Sequence, residues 1–133
     1  MYPALMNQRT HLSISPTLVG AVTDLTTGAA TARLVATPEM AADDRGLVHG
    51  GFTFGLADYA AMCAVNDPLV VLGGAETRFL GPVRVGQTMV ATATVTAEKG
   101  RKRTVEVAVS VESTVVMSGT LTCFVLDQHV LDG

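Results

Sequence analysis

The chain has 133 residues, 48% of them hydrophobic and 16% charged, with a formal net charge of -3 and a sequence pI of about 5.5. That length suits one domain, residues 1–133, with material for a real core. The mildly acidic balance speaks against nucleic-acid binding, which favours basic domains, and the low charge leaves apolar surface for another subunit.

In chain order, residues 18–24 read as a short strand and Thr26-Thr27-Gly28 as a turn. Residues 29–37 alternate, with Ala30, Ala32, Leu34 and Ala36 on one face and Thr31, Arg33, Val35 and Thr37 on the other. Residues 38–48 form a polar loop carrying Asp43, Asp44 and Arg45. The spacing then predicts a helix over about 50–66, rich in Ala, Leu and Met and closed by Asp67-Pro68. It is apolar on nearly every side, so it must be surrounded rather than merely docked.

After Pro68 the chain turns to β structure. Residues 69–80 form a strand bent at Gly73-Gly74 and ended by Gly81-Pro82. Residues 88–97 alternate, with Met89, Ala91, Ala93, Val95 and Ala97 expected inward. Lys99-Gly100-Arg101 is a hairpin turn, residues 103–111 alternate again, and residues 115–126 form a last long strand. Two strands, one buried helix and three or four strands make an α+β domain with one helix on an antiparallel sheet of five to six strands. One helix cannot cover so apolar a sheet. The sheet curls around it, a second subunit covers the rest, or both.

Cys63 and Cys123 form no Cys-x-x-Cys pair and read as buried reduced thiols; His11, His49 and His129 lack zinc spacing, so no metal is expected. No apolar run reaches the roughly 18 residues of a membrane span, and the first ten residues lack a leader pattern. A cytoplasmic protein is expected.

Two features of the helix carry chemistry. Asp58 sits mid-helix among apolar residues, where an unpaired carboxylate is costly. It is partnered by a hydroxyl or backbone group, reaches water, or is used. At the helix start, His49-Gly50-Gly51 leaves backbone N–H groups without internal acceptors, and glycine lets another group approach them. Such donors can hold an anion or an oxyanion; the plainer reading is a tight turn with close packing. Gly50 and Asp58 lie eight residues apart, roughly 12 Å along a helix at about 1.5 Å per residue. One small acyl group cannot touch both in one chain. If both act on one carbonyl carbon, one must come from a symmetry mate.

The run His49-Gly50-Gly51, four residues, then Leu56-Ala57-Asp58 resembles the hotdog-fold acyl-CoA thioesterases of the phenylacetate-pathway type. So does the segment from Arg78 to Gln87, and the resemblance covers about residues 38–126. It implies a hotdog fold, one central helix wrapped by a curved antiparallel sheet, in a homodimer or a dimer of dimers. By the resemblance, Asp58 is the base or nucleophile, the Gly50 N–H of the opposite subunit polarises the thioester, and His49 shapes the oxyanion site. No cofactor is implied beyond the CoA thioester itself as substrate or ligand.

Basic residues near strand ends would meet the CoA phosphates: Arg84, Lys99, Arg101, Lys102 and Arg103, each otherwise ordinary solvated charge. Asp43, Gly51 and Gly73 would line the substrate site. Phe52, Phe54, Tyr59, Met62 and Leu72 could line an acyl pocket or serve as plain core. The sequence departs from the family in two places. Asp43 stands where related enzymes often carry Asn or Gln, and a second carboxylate there could raise the pKa of Asp58. Leu72, Gly73 and Gly74 stand where a Ser or Thr is common, with Glu76 and Thr77 as nearby substitutes. The expected function is hydrolysis of an acyl-CoA thioester. The alternative is a regulatory protein that binds acyl-CoA without turnover. Enoyl-CoA hydration ranks lower, since no His follows in the spacing it needs.

Overall fold

The computed structural model describes residues 6–133. Its six strands are β1 (Ala21–Thr26), β2 (Ala29–Val35), β3 (Val70–Phe79), β4 (Thr88–Lys99), β5 (Lys102–Val111) and β6 (Thr114–Val125). They form one curved antiparallel sheet in the order β1-β2-β4-β5-β6-β3. The α-helix α1 (Gly50–Val65) crosses its concave face. The expected α+β hotdog architecture is the observed one, with six strands.

Local chemistry explains the boundaries. Ser15 O accepts from both Val19 N and Gly20 N, making a tight turn after Pro16. The first strand therefore starts at Ala21 rather than at residue 18. Residues 36 and 37, expected in strand, lie beyond β2, and the 38–48 loop opens with a short 3-10 turn at Pro38–Met40. Asn66 closes α1 in left-handed backbone (φ 54°), its N–H on Met62 O. The register of β4 against β5 shifts between Val95 and Ala97, which turns Ala97 outward against expectation. The bend foreseen at Gly73-Gly74 is a register shift of β3 against β6 between Leu72 and Gly74.

Packing follows side-chain size. Ala30 and Ala32 of β2 lie opposite Ala93 and Ala91 of β4. Above them α1 presents Ala57, Ala60, Ala61 and Ala64, all buried. Alanine on both sides lets the helix settle close onto β2 and β4, which carry most of its sheet contacts. Val105, Val107 and Val109 of β5 and Met117, Leu121 and Cys123 of β6 complete the core. The helix meets β3 far less, and the second half of β3 keeps Ala75 and Phe79 exposed. Phe79 on β3 and Leu80 just after it are 55% and 57% exposed, and β3 is a sheet edge ten residues long. The leftover apolar sheet surface inferred from the sequence lies here. Among the described residues, no helix is long and apolar enough to cross a membrane.

Candidate active site

The site begins where the loop before α1 is tied down. His49 N donates to Met40 O and Val48 N to Val83 O, so the chain enters α1 at a fixed angle. His49 is the N-cap residue, extended and without a side-chain cap. Its exposed ring lies edge-on to Phe52, and its Cδ2 and Nε2 atoms sit 3.1 Å from where a Cβ on Gly51 would stand. Gly51 therefore makes room for the His49 ring. A Cβ on Gly50 would meet the Phe79 ring at 3.4 Å. The Gly50 and Gly51 N–H groups take no acceptor among the described residues and stay available at the positive end of the helix.

Asp58 lies two turns on. Its Oδ1 atom is buried and has no hydrogen-bond partner among the described residues. Among the described residues no Ser, Thr or backbone donor holds that atom, so the plain structural role of this carboxylate is unfilled there. Burial pushes the Asp58 carboxyl above the ordinary carboxylate range, and His11 pulls it partly back. Asp43, expected as a cause of such a rise, contributes nothing to it. Cys123 on β6 feels the Asp58 charge; burial first, then Asp58, pushes its thiol up to about 11. Burial likewise pushes Cys63 up to about 11, so both thiols are unreactive core.

Other residues singled out in the sequence divide sharply. Phe52, Phe54 and Leu72 are half-buried, and Phe52 and Leu72 pack against the core. Met62 is fully buried core and lines no opening; Tyr59 is buried, with its hydroxyl accepting from Gln8 Nε2. Asp43 is exposed, and its Oδ1 accepts from Arg45 N and Leu47 N, holding the loop. It shares a shallow cavity of about 190 Å³ with Arg45, Leu47, Pro82 and Arg84. Arg45 was not foreseen as a partner for Arg84. Gly73 packs under Phe124, whose ring would lie 2.4 Å from an added Cβ. Glu76 points to the outer face of the sheet with Arg78, Glu106 and Thr120, while Thr77 packs against Gly119.

The five basic candidates do not converge. Arg84 lies just before β4 begins, whereas Lys99, Arg101, Lys102 and Arg103 cluster at its far end. The 12 residues of β4 separate them, roughly 36 Å at about 3.3 Å per residue. Within one chain they cannot hold one phosphate group. Arg101 is paired with Asp127, and Arg103 Nε lies 3.4 Å from Glu98 Oε1.

The residue missed in the sequence is His11. Residues 7–9 are bonded to the second half of α1, which brings His11 to Tyr59 and within electrostatic reach of Asp58. No spacing rule links positions 11 and 58, and the only signal was a histidine with no other assignment.

Residues 40–117 match the family model described as the MaoC like domain. The crystal structure of an uncharacterized protein from Pyrococcus horikoshii is similar, with 52% sequence identity and a TM-score of 0.96 over 98% of this chain and 100% of that one. A mutant of the phenylacetic acid degradation protein PaaI from Thermus thermophilus is 29% identical, with a TM-score of 0.75 over 82% of this chain and 95% of that one. The curated methylthioribose-1-phosphate isomerase of Aquifex aeolicus (strain VF5) is 49% identical over 100 residues, 75% of this chain. The chain spans only 22% of the length of that curated relative.

Proposed function

The chain belongs to the MaoC-like domain family, within the hotdog thioesterase superfamily, and on that premise we propose that it hydrolyses an acyl-CoA thioester. The observation that carries this reading is the buried, hydrogen-bond-orphaned Asp58 on a helix whose first N–H groups are free. Asp58 takes a proton from water as the water oxygen bonds to the thioester carbonyl carbon. The carbonyl oxygen becomes an oxyanion and rests on the Gly50 N–H, with His49 beside it. The C–S bond then breaks, its electron pair leaves on sulfur, and the proton held by Asp58 converts the CoA thiolate to thiol.

Separation along α1 sets a condition. The Gly50 donor that serves one Asp58 comes from a second copy of the chain, with the two helices antiparallel. The open β3 edge and the exposed Phe79 and Leu80 supply a surface for that pairing. A dimer is therefore part of the proposal, and a monomer at micromolar concentration by light scattering would remove it. Arg45 and Arg84 form the phosphate-facing end of the CoA path.

Thiol release from a panel of acyl-CoAs, by wild type and Asp58→Asn, tests the reading. Loss of most of the rate with binding retained supports it. Equal rates take Asp58 out of the chemistry. Tight binding with no hydrolysis anywhere on the panel makes the protein a binding module. An enoyl-CoA belongs on the panel as well, because His11 supplies a histidine near the Asp that hydration on this fold needs. Loss of the conjugated enoyl thioester absorbance without thiol release would favour that second reading.

A further inference from the structure

We propose that Gly55 sets the size of acyl group the site accepts, with the apolar acyl chain of the thioester lying in the open space over this residue. The inference rests on the hydrolytic reading above and names a specificity-determining position which that reading does not use.

A glycine inside a helix needs a reason. It costs backbone entropy, and alanine in its place would make a firmer helix. Gly55 is the sixth of the 16 residues of α1 and is half-buried. Left-handed backbone, the usual reason for glycine, does not apply to it. Nor does crowding. A Cβ on Gly50 would meet the Phe79 ring at 3.4 Å, and one on Gly51 would meet the His49 ring at 3.1 Å. A Cβ on Gly55 would find nothing else of the chain within 4 Å. Nothing among the described residues asks for glycine here, so the demand comes from an occupant they do not include.

The surroundings of the gap say what enters it. Neighbours on a helix surface stand three and four residues apart, so Gly55 is framed by Gly51, Phe52, Asp58 and Tyr59. Helical side chains lean toward the N-terminus, which carries the Asp58 and Tyr59 side chains over the turn that holds Gly55. Tyr59 is buried, and its hydroxyl accepts from Gln8 Nε2 (3.2 Å). Phe52 packs on the core, its ring edge-on to His49. The gap thus has aromatic carbon along one flank, and Gly51 and the acid along the other. Asp58 Oδ1 is buried and takes no hydrogen bond among the described residues.

Asp58 stands three residues beyond Gly55, roughly 4.5 Å along the axis at about 1.5 Å per residue. A carbonyl carbon attacked at Asp58 therefore has its next atoms over Gly55. On the other side of Asp58, four residues back, stands Phe54. The acyl chain leaves by the glycine side, where no side chain stands in its way.

The second copy does not fill the gap. With Gly50 of one chain set against Asp58 of the other, Thr53 of one stands opposite Gly55 of the other. Thr53 is buried, and its hydroxyl donates to Met89 Sδ (3.4 Å), so it turns inward and offers nothing across the axis. Apolar walls beside one polar group suit an apolar acyl chain.

The test measures thiol release from acetyl-, butyryl-, hexanoyl- and decanoyl-CoA by wild type, Gly55→Ala and Gly55→Leu. Both substitutions favour helix, so Gly55→Ala should melt higher than wild type and keep its oligomeric state by light scattering. Its kcat/KM should nevertheless fall, and fall further as the acyl chain lengthens. For the longest thioester that wild type accepts, the loss should be roughly tenfold or more, the scale of one methyl group in an apolar pocket. Gly55→Leu should move the cut-off to shorter chains. A glycine with only a structural role would change all four rates by one factor. Calorimetry on Asp58→Asn, with and without Gly55→Leu, reads the same space without turnover. Gly55→Leu should weaken decanoyl-CoA binding more than acetyl-CoA binding.

The failures separate. An Asp58→Asn protein as active as wild type sinks the hydrolytic reading. An inactive Asp58→Asn, joined to unchanged length profiles in both Gly55 variants, sinks the Gly55 assignment alone. Gly55 variants that become monomers and lose all four activities alike give the gap to the partner helix and overturn the proposal. If no thioester is hydrolysed, the binding series decides, and equal effects on long and short chains overturn it.

Discussion

Over residues 56–64, α1 is wrapped on every side, and Asp58 alone in that run keeps partial exposure. Over residues 49–55 the same helix stands at the surface, and Thr53 alone is buried. Three glycines and two phenylalanines mark the open half; alanines, Leu56, Met62 and Cys63 mark the sealed half. A single helix thus serves as core along one length and as an unfinished surface along the other. Asp58 sits two residues inside the boundary, where burial can perturb a carboxylate and solvent or substrate can still reach it.

The largest effect expected from attacking that boundary is at Asp58. Asp58→Asn should lower hydrolysis by roughly 10²–10⁴-fold, the contribution of a positioned general base. It should also stabilise the fold. Because the folded carboxyl titrates above its unfolded value, the native state binds more protons over that window, and wild-type stability falls as pH rises from the ordinary carboxylate range through the raised value. The melting temperatures of wild type and Asp58→Asn should therefore diverge with rising pH, the variant melting higher. Coincident melting curves at every pH would show that the side chain carries no burial penalty.

A cut in the sealed half acts oppositely. Leu56 is fully buried, so Leu56→Ala should cost about 2–5 kcal/mol of unfolding free energy in a urea titration. In the open half, Gly51→Ala should raise helix stability by roughly 0.5–1 kcal/mol. The added Cβ would also press on the His49 ring at 3.1 Å. Activity should fall although stability rises, and a variant improved in both would detach His49 from the site. The smallest effect belongs to the distant hairpin. The side chains of Arg101 and Asp127 are 60% and 77% exposed, so Arg101→Ala should change stability by under about 1 kcal/mol. A tenfold rise in KM for CoA thioesters in that variant would restore the hairpin to the substrate path.

Elements whose information is local were legible in the sequence. The helix over Gly50–Val65, the β4–β5 hairpin and the alternation of β2 follow from periodicity, and the unusual setting of the acid at position 58 follows from its apolar neighbours, while its lack of a partner does not. What escaped depends on distant partners. The first strand begins late because Ser15 O gathers two N–H groups into a turn. Ala97 turns outward because β4 slips against β5. Gly73 must stay small because Phe124 lies over it. His11 reaches the site only because Asn66, 55 positions later, bonds the chain around residues 7–9. Arg84 and the basic residues at 99–103, grouped as one phosphate site in the linear reading, sit at opposite ends of β4, which composition alone cannot reveal.

The ten-residue edge of β3 has a thermodynamic corollary. Any strand that seats itself there acts as a ligand for the native state and is absent from the unfolded one, so occupancy adds to stability by mass action. If the occupant is another molecule of the same chain, dilution lowers the melting point and concentration restores it. The durability of the fold would then be a property of the solution as much as of the polypeptide.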